Sequence, residues 1–378
     1  MSSDHRPLRV LVDATSMPPD LGGVGRYLEH LVPALAARAD TQIVVAAQER
    51  DAAWFREASP SARVVTPVSS GSRLKRLLWE QTGLPRLAAR ERVDVIHAPH
   101  YTMPIATRIP VVVTVHDATF FSHPELHTRV KRTFFRTWTR ISSRRARAIV
   151  VPSHATAEEL ARSTRVDAPV VVAHHGVDGG RFRPPTADEV ARVATTLSVP
   201  DGWIAFLGTV EPRKNVAALV RGYAALAERM PLPPLVIGGA PGWDTETASV
   251  IERLPSGIDV RLGGYLDADL LPGFLGGAEV VAYPSLGEGF GLPVLEAMAS
   301  GAAVLTTRAL ALPEVGGDAV AYTEPDADAI SSALERLLGD PDERKELARR
   351  AIARAAEFTW SASAEAHASG YRQAVGAA

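Results

Sequence analysis

The stretch Glu288-G-F-G-L-P-V-L-Glu296 decides how this chain is read. A short apolar run, Val280-V-A-Y-P-Ser285, precedes it, and Leu292-P-V-L-E-A-M-A-Ser300 reads as a helix closed by Gly301. Glu288 then falls in a glycine-containing loop, and Glu296 about one turn inside the helix. Gly289 and Gly291 can adopt backbone angles closed to other residues and leave room for a ligand against the main chain. A carboxylate on the loop and another on the helix can grip two hydroxyl-bearing parts of one small molecule. A second cluster, Gly208-T-V-E-P-R-K-Asn215, follows the strand-like run Trp203-I-A-F-Leu207 and supplies two cations on a glycine-bounded turn. The pair points to a ligand carrying both sugar hydroxyls and phosphates.

Outward from these motifs the chain alternates strands and helices. Val10-L-V-Asp13, Ile43–Ala47, Val93–His97, Val111–His116, Ala148–Val151 and Val170–Ala173 are short Val-rich runs, suited to strands buried on both faces of a parallel sheet. Ile204–Leu207, Leu235–Gly238, Val260–Leu262, Val280–Tyr283 and Ala303–Thr306 predict a second sheet. The expected organisation is an α/β domain at 1–180, a linker at 181–198 in which a Gly/Pro-rich stretch is followed by a short helix, a second α/β domain at 199–356 and a closing helical segment at 357–378. A length of 378 residues suits two cores of ordinary size.

The composition, 46% hydrophobic and 22% charged, is that of a globular chain. The absence of cysteine excludes disulfides, thiolate metal sites and cysteine nucleophiles. No apolar 18-mer reads as a membrane span, and the start M-S-S-D-H-R-P-L lacks a signal-peptide core. A cytoplasmic address is the expectation. The net charge of -2 hides an excess of seven cations in residues 1–178 and of nine acids in the rest. That asymmetry fits two units with different partners and does not make the chain a nucleic-acid binder.

The two motifs resemble the donor site of the retaining glycosyltransferases of family 4, which have the GT-B fold: two Rossmann-like domains facing each other across a cleft. The family's two glutamates separated by seven residues are matched by Glu288 and Glu296, and its basic pair by Arg213 and Lys214. The resemblance implies a nucleotide-diphosphate sugar held by the second domain and an acceptor held by the first. It implies that Arg213 and Lys214 stabilise the departing diphosphate, Glu296 accepts the ribose hydroxyls, and Glu288 meets hydroxyls of the transferred hexose beside Gly289, Phe290, Gly291 and Leu292. His116, in T-V-H-D, is implied beside the reacting centre, with Asp117 holding its tautomer or shaping the acceptor side. Gly22, Gly23 and Gly25, before a helix expected to start near Arg26, are implied to approach the donor phosphates, as is Gly208. His97 and His100 are candidates for the acceptor side, with a satisfied structural role as the equal alternative.

Asp267-A-Asp269 spells the D-x-D of metal-dependent transferases, but its place between a strand and a helix reads as a helix cap. No metal and no cofactor are expected, the nucleotide sugar being a substrate. The stretch 129–147 carries eight Lys/Arg with Phe134, Phe135 and Trp138 interleaved. It reads either as core packing with a solvated basic face or as a peripheral contact with the inner face of a membrane or a lipid-linked sugar. The activity expected is transfer of a hexose, in the first place mannose from GDP-mannose, to a glycan or lipid-linked acceptor. The alternatives are an epimerase- or phosphorylase-like enzyme on the same frame, or a non-catalytic nucleotide-sugar-binding module.

Overall fold

The computed structural model describes residues 6–17, 22–68, 73–200 and 202–376. The chain divides into two compact units, one formed by residues 1–176 with 359–378, the other by 177–358.

The first unit is a seven-stranded parallel sheet made of β1 (Leu8–Asp13), β2 (Thr41–Gln48), β3 (Arg63–Val68), β4 (Val95–Ala98), β5 (Val111–Thr114), β6 (Ala148–Val151) and β7 (Val170–Val172). Its order is β3-β2-β1-β4-β5-β6-β7, so the order reverses between β1 and β4. Val10 lies opposite Ile43 on one side and Val95 on the other. Helices cover both faces, which is why β4, β5 and β6 are buried at every residue; β6 is wholly apolar, while β4 and β5 carry His97 and Thr114, which bond each other. Strand β3 was not anticipated. It is an outer strand carrying Arg63 and Pro67, and such composition is tolerated only at an edge.

Helix Trp360–Gly376 belongs to this unit through a buried polar network. The Tyr27 hydroxyl meets Thr114 Oγ1 at 2.9 Å and His367 Nε2 at 2.7 Å, and the Tyr371 hydroxyl meets His97 Nδ1 at 2.9 Å. Trp360 stacks on His30 and His175 with interplanar angles of 22° and 24°.

The second unit is a six-stranded parallel sheet of β8 (Ile204–Leu207), β9 (Leu235–Gly238), β10 (Val260–Gly264), β11 (Val280–Tyr283), β12 (Val304–Thr306) and β13 (Ala321–Tyr322). Its order, β10-β9-β8-β11-β12-β13, reverses between β8 and β11. A single core runs through it, with Trp203, Phe206, Tyr223, Phe274 and Tyr283 as its largest fully buried side chains. Within 181–198 the expected short helix is Ala187–Leu197, and it belongs to this unit. Thr186 and Glu189 cap its start reciprocally, and Val193 is buried in the core.

Among the described residues no helix is long and apolar enough to cross a membrane. Helix Arg129–Arg145 buries Thr139, Ser142 and Ser143, while Phe135 stacks on Phe120 at 4.5 Å. Val130 is 81% exposed at its start, beside a run of exposed cations.

Candidate active site

Ligands of open α/β sheets bind beyond the C-terminal strand ends where strand order reverses. In the second unit that point lies between β8 and β11, and the two sequence motifs are the loops that leave these strands. Tertiary pairing zips the loops together. The Leu286 amide donates to the Arg213 carbonyl at 2.8 Å, and Ser285 Oγ lies 3.0 Å from the same oxygen. Asn215, at φ 58°, donates to the Pro284 and Pro325 carbonyls and holds the turn.

The zipped loops gather two cations on one carboxylate. Arg213 Nη1 and Lys214 Nζ each lie 2.5 Å from Glu288, on Oε2 and Oε1 respectively. Ser285 Oγ and the Tyr283 hydroxyl also donate to Oε1, both at 2.9 Å. Arg213 donates further to the Gly287 carbonyl and to Glu211 Oε1, both at 2.7 Å. Lys214 and Glu288 are buried, at 8% and 7% exposure. Burial alone pushes the Glu288 carboxyl up, but Arg213 and Lys214 outweigh it and hold the group at about 2. Burial lowers Lys214, opposed by Glu288. Both cations therefore stand organised at a strand-end loop, with Glu288 bound to them through both oxygens.

Gly291 (φ 103°) is the N-cap of helix Leu292–Ala299, and only glycine takes that angle without strain. A Cβ there would also lie 2.9 Å from Leu312 Cδ2. Gly289 and Phe290 are buried in the turn before it, Leu292 is half-buried, and Glu296 is 3% exposed inside the helix. The Ala311 amide donates to the Glu288 carbonyl at 3.3 Å, so the loop after β12 flanks the same turn. Gly208 lies at the end of β8, where its carbonyl packs so close that a Cβ on Gly239 would be 2.2 Å away.

In the first unit the reversal lies between β1 and β4. Gly22 is the N-cap of helix Gly23–Ala36, so Gly23 and Gly25 form its first turn instead of a loop before it. A Cβ on Gly23 would meet nothing within 4 Å. Its absence leaves open space rather than relieving a clash.

His116 and His100 sit together beyond β5 and β4, with rings 6.2 Å apart and both half-buried. His116 Nε2 lies 2.7 Å from the Pro99 carbonyl, which can only accept, so Nε2 carries the proton. Burial lowers both rings, His100 to about 3. Asp117 does not fix the His116 tautomer. Its Oδ1 accepts from Thr119 N and Oγ1 at 3.1 and 2.8 Å, and Pro99 does the orienting.

His97 lies elsewhere. It is fully buried, with Nε2 2.8 Å from Thr114 Oγ1 and Nδ1 on Tyr371, so it anchors the last helix and does not face an acceptor. The Asp267 and Asp269 side chains are exposed and do not cap helix Leu271–Gly276, whose N-cap is Leu270. Asp269 instead pairs with Arg192 at 3.6 Å.

Sequence reading missed Tyr283 and Glu211, which complete the basic cluster, and His367 and Tyr371, which complete the network around His97. Tyr283 ends a strand directly before the loop, and Glu211 stands two residues before Arg213, so position alone marked both. It also missed two buried acids of the first unit, Asp13 and Glu80. Glu80 accepts from Thr102 at 2.7 Å and Arg76 at 3.0 Å, and burial, with Asp13 nearby, pushes it up to about 6.

Comparison with known proteins agrees with this geometry. Residues 21–181 match the Glycosyltransferase Family 4 model, and residues 188–354 match Glycosyl transferases group 1. The chain is 30% identical to O-antigen chain mannosyltransferase B of Escherichia coli over 358 residues, covering 90% of this chain and 93% of that one. Sucrose-phosphate synthase of Thermosynechococcus elongatus superposes with a TM-score of 0.76 at 20% identity, over 99% of this chain and all of that one. HepE of Anabaena, solved with UDP and glucose, superposes at 0.74 and 19% identity over 96% of this chain and 98% of that one. Matching models in both units, with a relative similar along nearly the whole length, make this chain a member of the family 4, group 1 glycosyltransferases with the GT-B fold.

Proposed function

We propose that this glycosyltransferase moves a hexose, in the first place mannose from GDP-mannose, onto an acceptor hydroxyl with retention of anomeric configuration. The observation that carries the reading is the convergence of Arg213 and Lys214 in one ordered cluster at the sheet's reversal point. The choice of mannose draws on the relative that is an O-antigen chain mannosyltransferase, and the nucleotide class on HepE with UDP and glucose.

As the bond from C1 to the phosphate oxygen breaks, the leaving diphosphate gains charge. Cations already aimed at it favour that state over the ground state. The acceptor oxygen bonds to C1 on the same face, and its proton passes to the departing phosphate. Arg213 and Lys214 take the part a metal ion plays in other transferases, so no metal or cofactor is required. Glu296 binds the ribose, His116 offers Nδ1 near the reacting centre, and His100 lies on the acceptor side. The acceptor is a glycan or lipid-linked sugar. Exposed cations from Arg129 to Arg147 favour approach to the anionic inner face of the cell membrane.

The test is a thermal-shift panel of GDP-, UDP- and dTDP-sugars, since a bound donor raises the melting temperature by mass action. It is followed by product analysis with labelled GDP-mannose. A shift with GDP-mannose and an α-linked product are expected. No shift with any nucleotide sugar overturns the donor reading, and an inverted product overturns retention.

A further inference from the structure

We propose that Tyr283 is a positioning residue of the diphosphate site, a buried phenol that fixes the Lys214 ammonium and passes its hydrogen bond on to Glu288. The inference rests on the donor reading above. Lys214 Nζ donates to the Tyr283 hydroxyl, which itself donates to Glu288 Oε1 at 2.9 Å. The ammonium also lies 4.7 Å from the centre of the Tyr283 ring. That ring is 1% exposed and stacks on Phe206 at 5.7 Å with an interplanar angle of 12°, so β8 and β11 set its plane.

The arrangement addresses a specific problem. A lysine ammonium on a flexible stem, facing a buried carboxylate alone, pairs with it in any of several rotamers. The phenol supplies a second, rigid acceptor beside the first, the two oxygens being hydrogen-bonded to each other at 2.9 Å. Lys214 is then held by two fixed oxygens, in one orientation, before a diphosphate arrives. Tyr283 also lends Glu288 a donor, which limits how fully Lys214 must satisfy that carboxylate. Ser285 donates to the same Oε1 but does not bond Lys214, and so offers an internal comparison. The charged groups facing the Lys214–Tyr283 pair are Glu288, Arg213 and Glu211.

Tyr283→Phe keeps the stacked ring and removes only the hydroxyl. Calorimetry with GDP and UDP, across pH 7–10, compares it with wild type, Lys214→Ala and Ser285→Ala. Tyr283→Phe is expected to weaken binding of the cognate nucleotide roughly 10-fold, the scale of one hydrogen bond to a charged group. Its alkaline loss of binding should begin at lower pH, because the phenol oxygen no longer supports the protonated ammonium. Ser285→Ala should leave that alkaline limb in place. A merely structural tyrosine moves the melting temperature and leaves the limb unmoved.

Wild-type affinity and an unmoved limb in Tyr283→Phe, with Lys214→Ala weakened, overturn the positioning role and leave the donor reading standing. An equal displacement in Ser285→Ala also overturns it, since the effect then acts through Glu288 alone. Unchanged nucleotide binding in Lys214→Ala removes the donor reading and this inference together.

Discussion

Glu288 closes an ion pair with Arg213 at 2.5 Å through one oxygen and with Lys214 at 2.5 Å through the other. With Glu211 on the far side of Arg213, the two cations and two carboxylates balance in charge. On the proposed donor reading, a diphosphate entering this cluster would meet preorganised donors that are already neutralised, and Glu288 would act on nucleotide binding as well as on the sugar.

Removing either cation should cost transfer heavily. Arg213→Ala or Lys214→Ala is expected to lower kcat/KM roughly 10²–10³-fold, the size seen on losing one preorganised electrostatic partner. Lys214→Ala should also lower the melting temperature, because it strips a partner from a buried carboxylate. Steady-state rates at subsaturating donor check the first effect and thermal melts the second. Rates near wild type in both variants would defeat the assignment.

The two glutamates should separate by the sign of their effect on nucleotide binding. Glu288→Gln removes the charge that neutralises Arg213 and Lys214, so GDP or UDP is expected to bind several-fold more tightly while transfer falls. Glu296→Gln is expected to weaken the same binding, in line with its proposed ribose contact. Calorimetry with the nucleoside diphosphate alone decides. Weaker binding in Glu288→Gln would mean that the carboxylate organises the cations more than it opposes the phosphate.

Activity should survive EDTA followed by gel filtration. The proposed phosphate grip uses Arg213 and Lys214, and the exposed Asp267 is expected to matter little when replaced by Ala. Complete loss restored by Mg²⁺ or Mn²⁺ would reverse the proposal.

Acid should destabilise the first unit through its buried histidines. Burial holds His97 and His175 well below 6.5, and lowers His367 to about 4 against the smaller support of the Ser363 carbonyl. Between about 4 and 6.5 the unfolded chain binds more protons, so stability is full above 6.5 and falls as pH drops toward 4. For His367 that separation corresponds to roughly 3 kcal/mol. Melting curves from pH 7.5 to 4.5 should show a shallower decline in His367→Gln than in wild type. Equal slopes would show that His367 titrates normally in the folded protein.

The order of apolar runs, the glycine-bearing loops and the E-x₇-E and R-K spacings were legible before any folding. They determined two α/β units, the parallel sheets and the residues worth watching, because strands buried on both faces of a parallel sheet are rich in Val, Ile and Leu. Arg213 and Glu288 are 75 residues apart, however, and only the adjacency of β8 and β11 at the strand-order reversal brings them to 2.5 Å. Whether His97 faces an acceptor or anchors the final helix was likewise open in the sequence. It was decided by partners at positions 27, 114, 367 and 371, whose pairing depends on the packing of three separate strands and helices. The short helix expected within 181–198 depends on both levels: its capping box is local, but the burial of Val193 that stabilises it exists only in the folded second unit. Periodicity and motif spacing are properties of neighbouring residues and survive in one dimension. Ion-pair partners and burial are set by which strand ends lie side by side, which the tertiary structure alone decides.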